Sequence, residues 1–467
     1  MGETQPGAVM EVPSVARALG ERFQEAGHQL YLVGGAVRDE ILGRSTEEDD
    51  LDLATSAPPQ ETIRILRATG VEQLYLMGVK YGTIGARKEG RLVEITTFRE
   101  EVYREEDRKP VVTFASDIRT DLSRRDFTIN AMAIRLPDAA FEDPFGGLKD
   151  LAAKRIDTPL EPEIAFTEDP LRMLRAARFA ATLEMTPTPR VVEAIERMRE
   201  RLSIVSAERI RDELDKLMLA AKPSLGLELI VETGLAEEFL PELLGLRVEQ
   251  DPVHKHKDVL RHTYAVVENT EPDLVLRLAA LMHDFGKPKT RSITPEGVQF
   301  HSHDVVGARI AEERLRALRY PSEIVHQVRD LVWMHMRFHT YGMGWTDGAV
   351  RRYVRDAGPL LDRLNQLTRA DCTTRNPQRA AHLKSLQDEL EERIARLAEE
   401  ENLQALRPPL DGNEVMEHLA LKPGREIGEA LQHLMELRLE RGPMDKEDAY
   451  RELDAWAKEH GVGGAAS

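Results

Sequence analysis

The sequence predicts an α+β chain: a small β-sheet head followed by an all-helical neck, body and tail. Three observations predict it. Between about residues 30 and 135, short β-prone runs such as Leu30-Tyr-Leu-Val, Gly82-Thr-Ile-Gly-Ala and Leu92-Val-Glu-Ile-Thr-Thr-Phe follow one another. From about 165 onward almost everything has helical periodicity, with loops marked by Pro and Gly. A length of 467 residues suits roughly three domains, each able to bury its own core.

Taken in order, residues 13–27 read as an amphipathic helix with Val15, Leu19 and Phe23 on one stripe. A strand over 30–33 ends at Gly34-Gly35, a short helix carries Arg38 and Asp39, and a second strand follows around Leu51. A helix at about 60–69 interrupts the strand pattern. The expected divisions are a head over 1–150, a helical neck and body over 151–245, a second motif cluster over 246–380 and a helical C-terminal region over 381–467. Within these, 376–401 reads as a charged, solvated amphipathic helix. Pro408-Pro409 marks a boundary, and the Gly-rich tail from 461 reads as disordered.

Composition excludes several classes. Hydrophobic content is 41%, and no apolar run approaches the ~20 residues of a membrane span. The opening Met-Gly-Glu-Thr-Gln-Pro has no basic segment followed by an apolar one, as a secretory signal would. The single cysteine, Cys372, rules out a disulfide framework and a Cys-based zinc site. The expected compartment is therefore the cytoplasm. A net charge of −18 argues against bulk attraction to nucleic acid, so any RNA must be held by a local basic surface. The oligomeric state is not legible.

The chemistry concentrates between Gly34 and Ser56. Gly34 and Gly35 let the backbone approach a triphosphate. Arg38 is placed to neutralise phosphate. Asp50 and Asp52, two residues apart on a strand, share a face. Two carboxylates that close repel unless a cation lies between them, and oxygen-only ligands favour Mg²⁺. The implied chemistry is metal-assisted nucleotidyl transfer. Period two along Arg91–Arg99 puts Leu92, Glu94 and Thr96 on one face. Glu94 is then either a third catalytic carboxylate, activating the attacking hydroxyl, or a strand residue satisfied at the sheet surface.

Two further runs extend the constellation. In Arg124-Arg125-Asp126-Phe-Thr-Ile-Asn130, adjacent arginines suit phosphate and Asp126 suits a ribose hydroxyl. In Thr167-Glu168-Asp169-Pro170-Leu-Arg172, Thr167 reads as the N-cap of a helix. Asp169, Arg172, Arg175 and Arg178 then recur every three residues as one stripe, which either pairs its own charges or reads a base. A carboxylate accepts from the exocyclic amine of cytosine or adenine, while a guanidinium donates to ring acceptors.

Together, Gly-Gly-x-x-Arg-Asp, Asp-x-Asp-x-Ala-Thr-Ser, Arg-Arg-Asp-Phe-Thr-Ile-Asn-Ala and Glu-Asp-x-x-Arg resemble the class II tRNA nucleotidyltransferase and poly(A) polymerase branch of the polymerase-β superfamily, strongly over about 30–225. That resemblance implies a polymerase-β-like head. It implies Asp126 and Asn130 at the ribose, Asp169 and Arg172 reading CTP and ATP, and Arg175 and Arg178 on phosphate. Asp143-Pro-Phe-Gly-Gly-x-x-Asp150 fits the same family. The segment 408–455 is similar to the family's tRNA-binding tail, with Lys422 and Arg425 as candidate phosphate contacts.

A second cluster lies further on. His262 follows His254-Lys-His256 on a helix, His283-Asp284 ends an apolar helix, and His303, His335 and Asp371 come at long intervals. Imidazole plus carboxylate suits a borderline metal such as Ni²⁺, Co²⁺ or Mn²⁺. The order His262, His283-Asp284, Asp371 resembles the HD phosphohydrolase superfamily. His303 and His335 add either a second metal site, phosphate contacts or structure. The resemblance implies phosphatase or 2′,3′-cyclic phosphodiesterase activity.

The expected function is addition of CCA to tRNA 3′ ends from CTP and ATP. One rival is an enzyme of the same family adding only A, only CC, or poly(A). Another is an HD nucleotide phosphohydrolase with a head that merely binds ligand. The Asp-Arg-Lys-Pro run at 107–110, in a segment of full length, argues against CC-only addition.

Overall fold

The computed structural model describes residues 12–462 apart from 47–49, 103–110, 116, 249–257, 296, 373–375 and 402–406. The 107–110 run, His254, His256 and tail residues 463–467 therefore lie outside the described residues. The chain divides into two units, Met1–Phe239 and Leu240–Ser467.

In the first unit, α1 (Ser14–Glu25) buries Val15, Leu19 and Phe23, the stripe expected from the sequence. β1 (Leu30–Val33) leads into α2 (Gly35–Ile41), then β2 (Leu51–Thr55), α3 (Pro59–Ala68), β3 (Gln73–Tyr75), β4 (Thr83–Lys88) and β5 (Arg91–Thr97). A hairpin of β6 (Arg99–Val102) and β7 (Val111–Phe114) precedes α4 (Ile118–Ser123), β8 (Ala133–Leu136) and β9 (Phe141–Glu142). The main sheet runs in the order β3-β4-β5-β2-β1-β8-β9. β2 and β5 pair parallel, which sets Asp52 beside Glu94. On β5, Val93, Ile95 and Thr97 are buried and the alternate residues face outward, as period two requires. Tyr31, Val33, Ala54 and Phe98 join Ile118 and Leu122 of α4 in one apolar cluster.

Helices then take over: α5 (Gly147–Ala152), the short β10 (Arg155–Ile156), α6 (Pro162–Glu168), α7 (Leu171–Leu183), the short β11 (Thr186–Pro187), α8 (Pro189–Met198), α9 (Ala207–Met218) and α10 (Pro223–Glu232). Here the structure corrects the sequence reading. Thr167 does not start a helix; it lies in the last turn of α6, and α7 begins only after Pro170. Asp169 sits between them in an extended conformation (φ −142°, ψ 100°). The residue before a proline is pushed out of the helical region, so the helix breaks there. The arginine stripe therefore begins at Arg172, with Asp169 off its axis.

The second unit contains α11 (Pro241–Gly245), α12 (Val259–Glu268), α13 (Leu274–Met282) and α14 (Lys287–Thr290), then a hairpin of β12 (Arg291–Thr294) and β13 (Gly297–Phe300) that the helical reading lacks. It continues with α15 (His303–Ala317), α16 (Ser322–Met334), α17 (Asp347–Ala357), α18 (Leu361–Asp371), α19 (Pro377–Glu401), α20 (Gly412–Leu419), α21 (Arg425–Arg441) and α22 (Lys446–His460). α19 is the charged helix expected over 376–401; it buries Leu390 and Leu397. α20 to α22 share a core of Val415, Ala430, Leu434, Leu453 and Trp456. Asp411 opens α20 with a reciprocal capping box to Glu414.

α13 is buried nearly all round, so His283 and Asp284 at its end are held from every side. Gly286 lets the following turn meet α15: a Cβ there would stand 2.0 Å from the His303 carbonyl oxygen. That obstacle is backbone and cannot rotate away. Gly286→Ala should therefore lower the unfolding free energy by about 1–3 kcal/mol or more. Urea denaturation checks this, with Gly428→Ala, where a Cβ meets open space, remaining close to wild type.

Candidate functional sites

The first site lies at the mouth of the head sheet. A cavity of about 250 Å³ is lined by Asp52, Glu94 and Thr96 from the parallel strand pair and by Arg99, Arg124 and Arg125. Gly34 adopts φ +73°, ψ −139°, a conformation open essentially to glycine. A side chain there would stand 3.1 Å from an Arg125 nitrogen and 3.7 Å from Asp52 Oδ2. Burial, opposed by Arg125 and reinforced by Asp50, pushes the Asp52 carboxyl above the usual carboxylate range. Burial, Asp52 and Asp50 push Glu94 up as well. These carboxylates crowd one another, and hard oxygen donors under mutual repulsion fit a divalent cation such as Mg²⁺.

The arginines around this cavity are anchored from behind. Asp121, fully buried, accepts from Arg124 at 2.9 Å and Arg125 at 3.2 Å. Burial opposes its ionisation, but the two guanidiniums outweigh it and hold the carboxyl low. Asp121 lies just before the arginine pair in the sequence, and its i+3 and i+4 spacing to Arg124 and Arg125 is the signal that finds it.

A second layer of charge runs inward. Asp126 accepts from its neighbour's amide, from Asn130 Nδ2 at 2.9 Å and from Arg175 at 2.8 and 2.5 Å. Asn130 Oδ1 in turn accepts from Arg38 at 2.7 Å, and Arg38 also pairs with Asp39 beside Gly35. Arg178 bonds the buried Glu213 at 2.6 Å, and Arg175 reaches the same carboxylate at 3.4 Å. Arg38, Arg175 and Arg178 all lie over the Phe179 ring, at 5.3, 5.6 and 4.0 Å. Glu213 and Phe179 were not singled out in the sequence; nothing local marks them.

Asp169 and Arg172 are not each other's partners. Arg209, which the sequence reading missed, donates to Asp169 at 2.7 Å. Arg172 donates to Glu168 at 2.9 Å, to the Ala165 carbonyl and to the Arg124 carbonyl. Glu168 thus sits behind Arg172. Asp143 caps α5 through two backbone amides, and Asp150 holds Thr128 and Arg155. Lys422 is exposed, and Arg425 pairs with Glu429 at 2.7 Å.

The second site is built where α12, α13, α15, α16 and α18 begin or end. Among the described residues, two groups of three donors lie within 4.8 Å of one another: His262, His283 and Asp284, and Asp284, His303 and His335. Asp371 Oδ1 is 2.9 Å from His262 Nε2 and 3.6 Å from His283 Nε2. His283, His303 and His335 each turn Nδ1 to a backbone carbonyl three residues back, at 2.8, 2.9 and 2.6 Å. With Nδ1 donating, Nε2 keeps its lone pair and faces the centre. Asp284 Oδ1, His303 Nε2 and His335 Nε2 are buried without a hydrogen-bond partner. Burial pushes His335 down to about 3 and lowers His303, leaving neutral rings. For His283 burial works downward but Asp284 and Asp371 outweigh it. Buried, neutral imidazoles with orphaned lone pairs beside a carboxylate fit a borderline divalent metal. Lys287, which closes the run His283-Asp284-Phe-Gly-Lys287, lies 2.7 Å from Asp284, and His339, unmarked in the sequence, lies 3.3 Å from Asp371.

The crowding in the head has a measurable consequence. A carboxyl whose pKa is raised on folding destabilises the fold wherever it is ionised. Asp52 is solvent-exposed at the cavity wall, so screening limits the gain; without divalent ions at neutral pH, Asp52→Asn should melt slightly above wild type. The difference should vanish below about pH 4, where both states are protonated. Mg²⁺ should raise the Tm of wild type and leave Asp52→Asn nearly unmoved. Thermal denaturation over pH and Mg²⁺ checks all three.

Three family models match successive stretches of the chain. The family model "Poly A polymerase head domain" matches residues 30–157. "Probable RNA and SrmB- binding site of polymerase A" matches 184–245, and the HD domain matches 258–445. A CCA-adding enzyme of Lactobacillus gasseri is 42% identical over 229 residues, 49% of this chain and 56% of that protein. The chain thus spans about half the length of the first curated relatives it matches. The A-adding tRNA nucleotidyltransferase of Deinococcus radiodurans is 34% identical over 361 residues, 74% of this chain and 81% of that protein. The Bacillus stearothermophilus CCA-adding enzyme, solved with CTP, superposes with a TM-score of 0.70 at 25% identity, covering 97% of this chain and 99% of that one. A Thermotoga maritima CCA-adding enzyme, solved with tRNA, shares the fold at a TM-score of 0.61 and 19% identity, covering 96% of each chain. The chain belongs to the tRNA nucleotidyltransferase and poly(A) polymerase family, and it carries an HD domain in its second half.

Proposed function

We propose that the chain adds CCA to the 3′ end of tRNA, drawing C and A from CTP and ATP without a nucleic-acid template. The observation that carries this reading is the head cavity, where Asp52 and Glu94 face Arg99, Arg124 and Arg125 across about 250 Å³. Asp50 and Asp52 would hold Mg²⁺, which when bound supplies charge neutralisation for the triphosphate. The arginines hold the phosphates, and Glu94, its pKa raised by its neighbours, accepts the proton of the attacking hydroxyl. Gly34 and Gly35 leave room for the phosphates, with Arg38 behind them. Asp126 and Asn130 orient the ribose end, and Arg175 and Arg178 position them through Asp126 and Glu213. Asp169 and Arg172 read the base edge.

Addition of A alone is the second reading, favoured by the Deinococcus radiodurans resemblance, which runs across 74% of this chain. Purified protein with tRNA ending at the discriminator base, and with tRNA ending in CC, separates the two. CCA addition extends both when given CTP and ATP. A-only addition extends only the CC-ended tRNA.

The template assignment is tested through selectivity. Asp169→Ala should relax discrimination against UTP and GTP by about 1–3 kcal/mol, roughly 5- to 150-fold in kcat/KM. Arg209→Ala should produce part of that loss, because its guanidinium orients Asp169. Unchanged selectivity in Asp169→Ala would remove Asp169 from the template.

For the second site we propose phosphoester hydrolysis, phosphatase or 2′,3′-cyclic phosphodiesterase in type. His262, His283, Asp284 and Asp371 would hold one divalent ion, Ni²⁺, Co²⁺ or Mn²⁺. His303 and His335, with the orphaned Asp284 Oδ1, have the donors for a second. Such an ion, when bound, polarises the phosphoryl oxygen. Lys287 fixes the Asp284 carboxylate. His283→Ala or Asp284→Ala should abolish hydrolysis of a 2′,3′-cyclic nucleotide with these metals and leave nucleotide addition within a few-fold of wild type. Asp50→Ala should do the reverse. Loss of both activities in a folded His283→Ala protein would overturn the independence of the two sites.

A further inference from the structure

Five large apolar side chains stand exposed at one end of the head sheet: Met77 at 98%, Phe114 at 51%, Leu76 at 45%, Tyr81 at 41% and Tyr75 at 39%. β3, which carries Tyr75, is the edge strand of the sheet. The Phe114 ring lies on Gly82, where a Cβ would stand 3.0 Å from its Cε1. Gly82 has φ +85°, so glycine is required there on both counts. Arg99 is the cross-strand partner of Phe114 and donates to the Tyr81 carbonyl at 2.7 Å. Arg99 also lines the catalytic cavity. Two residues with exposed aromatic rings therefore neighbour one arginine of the cavity wall, Tyr81 through its carbonyl and Phe114 across the strand pair.

The cavity wall carries two carboxylates, three arginines and, among the described residues, no aromatic ring, so it offers no face on which the bases of the strand being extended can stack. Those bases are unpaired, with aromatic faces and an anionic backbone. Exposed Tyr and Phe beside a guanidinium is the surface chemistry that holds single strands. A protein partner would use the apolar faces without calling on Arg99.

We propose that Tyr81 and Phe114 are positioning residues that stack the unpaired 3′-terminal bases of the RNA primer and aim its terminal hydroxyl past Arg99 at the Asp52–Glu94 pair. The proposal rests on the reading that the head adds nucleotides to an RNA 3′ end.

The test uses the full chain with a tRNA transcript ending at its discriminator base and one ending in CC. Phe114→Ala and Tyr81→Ala should each raise KM for the transcript roughly five-fold or more, as expected for one lost stacked base. KM for the triphosphate, and kcat at saturating transcript, should stay within two-fold. Phe114→Leu keeps an apolar side chain over Gly82 but loses the ring, and should share the defect. Phe114→Tyr should restore wild-type KM. Independently of turnover, Phe114→Trp should show fluorescence quenching by the transcript beyond that of wild type. Unchanged transcript KM in both alanine variants together with no added quenching overturns the platform. So does a wild-type dimer that either alanine variant makes monomeric without affecting transcript KM, which would assign the patch to a second copy. If wild type incorporates neither triphosphate, the nucleotide-addition reading fails, and quenching still decides the platform.

Discussion

The buried carboxylate of Asp126 fixes the geometry of the first unit. Arg175 grips it with two nitrogens, Asn130 donates to its other oxygen, and from Asn130 the bonding runs through Arg38 to Asp39 beside the glycine pair. On the other side Arg175 and Arg178 converge on Glu213 of α9. Removing one partner of such a buried set leaves an uncompensated charge, at roughly 3–5 kcal/mol. Arg175 and Asn130 hold Asp126 below the usual carboxylate range despite burial, so the carboxylate stays ionised at neutral pH. The phosphate-approaching turn is thus tied to the helices by directional bonds rather than by apolar packing alone, which suits a site that must hold its geometry.

That network divides the arginines by task. Arg175, Arg178 and Arg38 enclose the Phe179 ring and satisfy internal carboxylates, whereas Arg99, Arg124 and Arg125 line the cavity. Sequence alone cannot separate the two sets, because an arginine in a motif is spelled the same whether its partner is a phosphate or Glu213. The motif residues themselves were legible: Gly34, Asp52, Glu94, Arg125, Asp126 and Asn130 occupy one contiguous region. The strand alternation that places Glu94 outward was legible too, as was the stripe of Val15, Leu19 and Phe23 at four-residue spacing on α1. What escaped were partners with large sequence separation and no local pattern. Arg209, forty residues from Asp169, and Glu213, thirty-five from Arg178, become neighbours only once α7 and α9 pack. The helix break at Pro170 escaped for the opposite reason: an N-cap reading of Thr167 and a proline in the first turn fit the local rules, and the preceding α6 was not recognised.

The two candidate metal sites reach their state by different physics. In the head, desolvation and neighbouring carboxylates raise the pKa of Asp52 and Glu94, so the site favours a hard cation that neutralises charge. In the second unit, backbone carbonyls hold Nδ1 of His283, His303 and His335, and burial keeps the His303 and His335 rings neutral with their lone pairs inward. Each buried atom left without a partner costs about 1–3 kcal/mol, and Asp284 Oδ1, His303 Nε2 and His335 Nε2 sit together. A fold tolerates one such atom readily. Three converging on one point constitute a cost that a bound ion removes. His283-Asp284 was legible because the pair is adjacent, whereas His303 and His335 stayed ambiguous until three dimensions brought them to Asp284.

A net charge of −18 poses the remaining problem for the proposed RNA binding, because the chain's overall field repels a polyanion. Screening at physiological salt confines that repulsion to about 8 Å, so attraction must also act at short range. The cavity arginines supply it over a few ångströms, backed by buried Asp121, and their charge is partly spent on that anchor. Stacking needs no net charge and is indifferent to salt, which is why exposed rings beside Arg99 matter more on an acidic protein than on a basic one. Lowering ionic strength would strengthen both the long-range repulsion and the local pairing, and these oppose. A primer held chiefly by stacking should accordingly show a shallower dependence on salt than one held by phosphate contacts alone.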